Sequence, residues 1–138
     1  MTAQRQRRVT PLDEAALIEA LFYGTTPSRA GRRGVFVPPT DVYETEDRIV
    51  VQVEIAGVQQ SDFAISLHDR RLIIGGTRAD PGPSRRAYHQ MEINFGEFRA
   101  EVDLPVAVDD GQVDAQYSDG LLRIVLAKQR PHPIDIQE

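Results

Sequence analysis

Cysteine is absent from this chain of 138 residues, so neither a disulfide nor a thiolate metal site can form. No apolar run approaches the length needed to cross a bilayer, and the start of the sequence lacks the continuous apolar core of a signal peptide. We therefore expect a cytoplasmic protein with no membrane partner. An excess of positive charge is missing as well: the formal net charge is -5, which argues against a nucleic-acid partner.

Patterns that carry catalysis or hold a cofactor are also lacking. The three histidines, His68, His89 and His132, lie on separate segments without the spacing of metal ligands. The carboxylates are scattered over turns and outward positions, and no Lys-Ser/Thr pair follows the two glycines at 75–76, as a phosphate loop would require. We therefore expect no enzyme, no metal and no cofactor.

What is present is the composition of an ordinary globular protein, 41% hydrophobic and 27% charged, with length for one domain and short arms. The basic residues are concentrated at the start, where six arginines precede Gly34 against three carboxylates. No aromatic residues interleave with these arginines, as single-strand nucleic-acid binders usually require. We interpret this part as a solvated, flexible arm.

An amphipathic helix is predicted within the arm, in the segment TPLDEAALIEALFYG. Thr10 can cap it, Pro11 suits its first position and Gly24 can end it. Its apolar side chains recur every three or four residues on one face, and they are Leu17, Ile18, Leu21 and Phe22. A helix this short is marginal alone, so we expect this face to pack against another surface.

From Val35 onward the pattern is that of short strands joined by tight turns. The segment RIVVQVEI alternates, with Ile49, Val51, Val53 and Ile55 on one face. In DFAISLHD the alternation predicts Phe63, Ile65 and Leu67 inward and Ala64, Ser66 and His68 outward. YHQMEINF is predicted to be another strand, and the Asp-Gly pair at 119–120 to join the last two strands in a hairpin. The fold class is therefore all-β, an antiparallel sandwich or barrel.

Two segments depart from this pattern of short strands and tight turns. The connection ADPGPSRRA is long and carries Pro81 and Pro83, so it is expected to be functional or to reach elsewhere. The tail has prolines that favour an extended chain. In such a chain Ile134 and Ile136 point to the same side, which predicts that they are buried together against another surface.

Read together, these segments resemble the small heat shock proteins, the α-crystallin/Hsp20 family, and within it the bacterial type. The segment most specific to this family is AQYSDGLLRIVLAK. Three further segments match the family pattern: NFGEF, the Leu104-Pro105 pair and PIDI in the tail. The resemblance implies an immunoglobulin-like two-sheet sandwich at residues 38–128, an arm at 1–37 and a tail at 129–138. It also implies an ATP-independent chaperone that holds unfolding client proteins, dimerises by strand exchange and builds a higher homo-oligomer.

The same resemblance assigns roles to individual residues. The tail anchor is predicted at Ile134 and Ile136, and its groove between the segments DFAISLHD and EFRAEVDL at Ile65, Leu67 and Val102. The dimer loop is predicted at Ser84, Arg85, Arg86, Ala87 and Tyr88. The apolar helix face (Leu17, Ile18, Leu21 and Phe22) is predicted to bind clients, because it is too large to stay exposed in a monomer.

Some features keep other interpretations open. Ile93 and Ala100 occupy positions where relatives usually carry arginine, which puts any dimer-interface ion pair carried over from relatives in doubt. A co-chaperone module of the p23/CS type uses the same sandwich, although it has no use for the isoleucine pair in the tail. A catalytic sandwich would need a constellation of side chains that the sequence does not contain.

Overall fold

The computed structural model of the chain describes residues 7–8, 34–131 and 134–137. The described residues form eight strands: β1 Arg7–Arg8, β2 Thr40–Glu44, β3 Arg48–Glu54, β4 Phe63–His68, β5 Arg71–Arg78, β6 Gly96–Asp103, β7 Val108–Ser118 and β8 Leu121–Lys128. A 3-10 turn, Gln60–Asp62, precedes β4. The predicted arm helix, with Leu17, Ile18, Leu21 and Phe22, lies outside the described residues.

The strands form two antiparallel sheets. The large sheet has the order β1-β7-β8-β3-β2, and the small sheet has the order β4-β5-β6. Every paired strand runs antiparallel to its neighbour. The predicted all-β, two-sheet sandwich is confirmed.

The core lies between the inner faces of the two sheets. On β3 the alternation predicted from the sequence is confirmed, because Ile49, Val51 and Val53 have no exposed surface. From the small sheet, Leu72 and Ile74 of β5 complete the same buried cluster. Burial of each such side chain contributes about 1.5–3 kcal/mol to folding, so the packing of these inner faces stabilises the sandwich.

The hairpin turns adopt the backbone that their residues favour. Asp119 and Gly120 both have positive φ, 53° and 79°, and together they join β7 to β8 as the Asp-Gly pair predicts. Asp69, with φ of 53°, turns the chain between β4 and β5. Aspartate tolerates this left-handed conformation better than most residues, which explains its presence at both turns.

The predicted strand in YHQMEINF is wrong for the single chain. No strand forms between Arg78 and Gly96, and β6 begins only at Gly96, whose φ is 95°. A strand needs a neighbouring ladder as well as a suitable pattern. On the open side of β6 that place is taken by Phe36, which forms an isolated parallel bridge with Phe98.

Phe36 ties the start of the sandwich to the small sheet, although the predicted division assigns it to the arm. Its N–H donates to the Glu97 carbonyl oxygen at 3.0 Å, and its carbonyl oxygen accepts from the Arg99 N–H at 3.0 Å. Its ring lies 5.7 Å from that of Phe98, centroid to centroid. The chain then continues into β2, so residues 36–40 connect one side of the small sheet to the far edge of the large sheet.

Candidate functional site

The tail presents two apolar side chains to solvent. Ile134 is 89% exposed and Ile136 is 90% exposed, and no regular secondary structure forms at residues 134–137. Large apolar side chains lose this unfavourable exposure only by contact with another surface. The single chain therefore leaves both isoleucines available for such a contact.

The predicted groove for these isoleucines needs correction. β5 lies between β4 and β6, so these two strands do not border a common groove. Leu67 pairs with Leu72, which pairs with Val102, and the three form one row across the inner face. Leu67 and Val102 are only 6% and 8% exposed and belong to the core, so they offer no docking surface. Of the predicted liners, Ile65 alone is only partly buried.

One open side of the sandwich runs between β4 and β7. The Phe63 ring of β4 lies edge-on to the Tyr117 ring of β7, with centroids 4.9 Å apart. The Tyr117 hydroxyl donates to the Ile55 carbonyl oxygen at 2.8 Å, which fixes the ring. Ile65 and Val108 are partly buried against the core. This side thus carries accessible apolar surface between two strands, a geometry that suits a short extended segment.

The outer edge of β7 carries β1. Arg7 pairs with Ala115 and Arg8 with Asp114, so the backbone of the arm's first residues extends the large sheet. No sequence pattern indicated this pairing, because two arginines in a basic arm have the pattern of a solvated segment. This pairing places residues 7–8 at the edge of the large sheet that β7 would otherwise form.

β2 is the opposite edge of the large sheet. Val42 pairs with the core residue Val51 yet remains 42% exposed, and Tyr43 is 41% exposed. Val37, just before the strand, is 73% exposed. An edge strand with exposed apolar side chains is a place where a further strand can add.

The predicted dimer loop contains a polar cluster. Arg86 forms an ion pair with Asp80, donates through Nε to the Tyr88 hydroxyl at 2.7 Å and donates through Nη1 to the Pro83 carbonyl oxygen at 2.6 Å. Its guanidinium also lies 5.0 Å from the centre of the Tyr88 ring. The other predicted loop residues, Ser84, Arg85 and Ala87, are exposed. Two of the five predicted residues, Arg86 and Tyr88, therefore contact each other and other residues of the loop.

The electrostatics of this cluster act on Asp80. The pKa of its carboxyl is lowered, first by the hydrogen bond that the Gly82 N–H donates at 2.9 Å and then by the charge of Arg86 and the Tyr88 hydroxyl. Each of these contacts favours the ionised carboxylate. The sequence shows the Asp-x-Gly part of this cluster, which is a turn pattern, but not the contact between Asp80 and Arg86.

Arg78 ties the end of β5 to the far end of the loop. Its Nε donates to the Asn94 carbonyl oxygen at 2.8 Å and its Nη1 to the Ala56 carbonyl oxygen at 3.2 Å. The guanidinium also stacks over Phe36 and Phe95, at 5.0 and 5.7 Å from the ring centres. Sequence reasoning missed this residue, because its partners are distant along the chain.

Among the described residues, no group of three or more His, Asp or Glu side chains is placed to hold a metal ion. An open cleft of about 730 Å³ lies where β8 ends, but its lining mixes both charges, as Asp47, Asp109, Lys128 and Arg130 show. No helix within the described ranges is long and apolar enough to span a membrane.

Comparisons with known proteins find similarity to small heat shock proteins. The model of the Hsp20/alpha crystallin family matches residues 41–137. Small heat shock protein C2 of Rickettsia felis is 28% identical over 109 residues, which cover 78% of this chain and 70% of that protein.

Solved structures resemble the chain in fold. Heat shock protein 16.0 from Schizosaccharomyces pombe has a TM-score of 0.62 and 28% identity, covering 74% of this chain and 99% of that one. A small heat-shock protein from Xylella fastidiosa, which has a distinct high order structure, has a TM-score of 0.64 and 24% identity, covering 76% and 100%. At this identity the second similarity shows the fold alone.

Proposed function

Because the chain belongs to the Hsp20/alpha crystallin family, we propose that it is an ATP-independent chaperone that binds unfolding proteins and prevents their aggregation. The family supports a chaperone role, and its members are chaperones rather than enzymes. The match over residues 41–137 carries the proposal, since it spans β2 to β8 and the tail. The tail isoleucines favour this function over a p23/CS-type co-chaperone, which has no use for them. We place the protein in the cytoplasm, in line with its lack of cysteine.

Binding without nucleotide requires a surface whose affinity comes from apolar burial. We assign this role to the arm, whose apolar residues are Leu17, Ile18, Leu21 and Phe22. Apolar contacts are non-directional, so one such surface can bind many unfolding chains. Release then needs no hydrolysis by this protein and is left to other chaperones.

Dimerisation is proposed to occur by strand exchange at β2. The loop around residues 84–88 would add to the partner's β2 edge, where Val42 is exposed. Ile93 and Ala100, at the positions where relatives usually carry arginine, are uncharged and cannot form an ion pair. Ala100 is buried in the core, and Ile93 is 62% exposed. Main-chain hydrogen bonds and apolar contacts would hold the dimer.

Higher assembly is proposed to depend on the tail. Ile134 and Ile136 would dock on the β4–β7 side of a neighbouring subunit, beside Ile65. Burial of each isoleucine is worth about 1.5–3 kcal/mol. Ordering the tail costs about 1–2 kcal/mol per backbone residue, so one anchor alone is weak. Many anchors in a closed assembly raise the effective concentration and hold it together.

The function is tested by capture of a client. A heat-labile protein is heated with this chain in nucleotide-free buffer, and the soluble fraction is separated by size exclusion. We expect both proteins to elute together in one large complex. A variant with Leu17, Leu21 and Phe22 changed to serine is expected to keep its β-sheet circular dichroism and to capture less client. Elution of the chain without client at equimolar ratio would contradict the proposal.

A further inference from the structure

The side chain of Arg78 holds together the two ends of the connection between β5 and β6, which contains the predicted dimer loop. Arg78 is the last residue of β5, and residues 79–95 form no strand before β6 begins at Gly96. The Nε and Nη2 atoms of Arg78 both donate to the carbonyl oxygen of Asn94, with Nε at 2.8 Å. The ladder of the two strands ends at the pair of Arg78 with Gly96. The contact with Asn94 therefore closes the base of the loop beyond the end of the sheet.

The same guanidinium contacts two further segments of the chain. Its Nη1 donates to the carbonyl oxygen of Ala56, in the connection between β3 and β4, at 3.2 Å. It also lies 5.0 Å from the ring centre of Phe36 and 5.7 Å from that of Phe95. Phe36 is hydrogen-bonded to β6 and precedes β2 by a few residues. Arg78 therefore joins the base of the loop to the segment that leads into β2, the edge at which a partner strand is proposed to add.

This set of contacts depends on the chemistry of arginine. A guanidinium presents its N–H groups in a rigid planar fork, so it can donate to two carbonyl oxygens and stack on aromatic rings at the same time. Arg78 is half-buried, and contacts between a cation and an aromatic ring are stronger when water is partly excluded. The base of the loop thus has one direction relative to the sandwich, although residues 79–95 form no strand.

Strand exchange in a symmetric dimer requires such a fixed direction. In a two-fold dimer both subunits use the same surfaces, so each chain donates its loop and accepts the partner's loop at once. Both exchanges fit together only if the base of the loop and the β2 edge of one chain keep a constant relation. A loop whose base is loose has to be ordered when it binds, and this ordering lowers the affinity.

We propose that Arg78 is a positioning residue for dimerisation: it fixes the direction in which the loop leaves its own sandwich, relative to β2, and so prepares the loop for the partner. This inference rests on the proposed strand exchange. It differs from a role in stability alone, because loss of the Arg78 contacts is then expected to weaken the dimer more than an equivalent loss elsewhere in the sandwich.

Arg70 provides a matched control at the opposite end of β5. Its Nε and Nη2 also donate to one carbonyl oxygen, that of Leu104, at 3.0 and 2.8 Å. It lies roughly 25 Å along the strand from the loop. We measure the concentration at which half of the full-length chains are monomers, by analytical ultracentrifugation of a dilution series. Arg78→Met should raise this concentration about 10-fold or more, because residues 94 and 95 are no longer held. Arg70→Met should change it less than about two-fold.

A spectroscopic measurement reports on the base of the loop directly. The chain lacks cysteine, so a nitroxide on Ile93→Cys, an exposed position next to Asn94, is a unique label. We expect the label to move at least about two-fold faster when Arg78→Met is added, and to keep its original motion when Arg70→Met is added. Phe95→Leu removes only a ring contact and is the second variant, in case Arg78→Met does not fold. It should raise the half-monomer concentration about two- to five-fold.

Three results would overturn the role of Arg78. Equal half-monomer concentrations for Arg78→Met and Arg70→Met would show an effect of general stability. A label that moves no faster with Arg78→Met would show that this residue does not hold the base of the loop. Where Arg78→Met does not fold, a Phe95→Leu variant that dimerises like the natural chain would have the same consequence. A natural chain that is monomeric at every concentration would instead overturn strand exchange itself, and this role of Arg78 with it.

Discussion

The Tyr117 hydroxyl donates a hydrogen bond to the Ile55 carbonyl oxygen at 2.8 Å, across the side of the sandwich where β4 and β7 meet. Tyr117→Phe removes this bond but keeps the ring against Phe63, so we expect the free energy of unfolding to fall by about 0.5–1.5 kcal/mol. Urea denaturation followed by circular dichroism measures the change. Tyr43→Phe is the matched control, because the Tyr43 side chain is exposed and its hydroxyl only accepts a long bond from Arg123. A loss no larger at position 117 than at 43 would show that this bond does not stabilise the fold.

The contacts around Asp80 in the loop are expected to depend on pH. The pKa of Asp80 is lowered below its ordinary value of 3.8, chiefly by the Gly82 N–H and then by Arg86. A carboxyl with a lower pKa in the folded chain stabilises the folded loop above its ordinary pKa, and this contribution is lost as the pH falls through the lowered value. The Tyr88 ring signals should therefore titrate with a midpoint below 3.8 in the natural chain, as measured by nuclear magnetic resonance.

Substitutions separate this cluster from general effects of acid. Asp80→Asn should abolish the Tyr88 titration, and at neutral pH it should speed trypsin cleavage after Arg86 by a few-fold. Asp109→Asn is the control, because Asp109 accepts the same type of bond from the Gly111 N–H at 2.9 Å but lies in β7. If both variants titrate and are cleaved like the natural chain, the cluster does not order the loop.

The proposed dimer requires a loop that is long enough to reach the partner. Deleting Asp80 to Arg86 and closing the gap with a short Gly/Ser turn should give folded monomers in analytical ultracentrifugation, because the donated strand can no longer reach the partner. Replacing the same residues with an equal number of Gly and Ser should leave a weaker dimer, since strand addition uses main-chain groups. A deletion variant that sediments as a dimer would rule out strand exchange through this loop.

The sequence predicted the inner faces well, because their pattern depends only on local geometry. Ile49, Val51 and Val53 alternate with a period of two, and a half-buried strand buries one set of alternate residues. The turn at Asp119–Gly120 followed from the same kind of local rule. Features of this type can be predicted without knowing which element lies next to the strand.

Features that depend on neighbours could not be predicted. The groove assigned to Leu67 and Val102 failed because the sequence does not give the strand order, and β5 lies between them. The alternation placed Ser66 on the outer face, but its full burial could not be predicted from the alternation. The contact of Phe36 with Phe98 joins residues that are far apart in sequence, so no local pattern predicts it.

The tail isoleucines are predicted to hold the higher oligomer. Ile134→Ala with Ile136→Ala removes most of the exposed apolar surface of the tail, so we expect a folded dimer and loss of the larger species in size-exclusion light scattering. Asp135→Ala, between the two, is the control and should keep the natural mass, since this side chain points away from the proposed contact. A double variant with the mass of the natural chain would show that the tail is not the anchor.

The chaperone function is tested by light scattering from a heat-labile client warmed with this chain in the absence of nucleotide. We expect an equimolar amount of the chain to suppress the rise in scattering. Added ATP should change nothing, and the same mass of an inert protein should give no protection. Scattering that rises as fast with the chain as with the inert protein would contradict the proposed chaperone function.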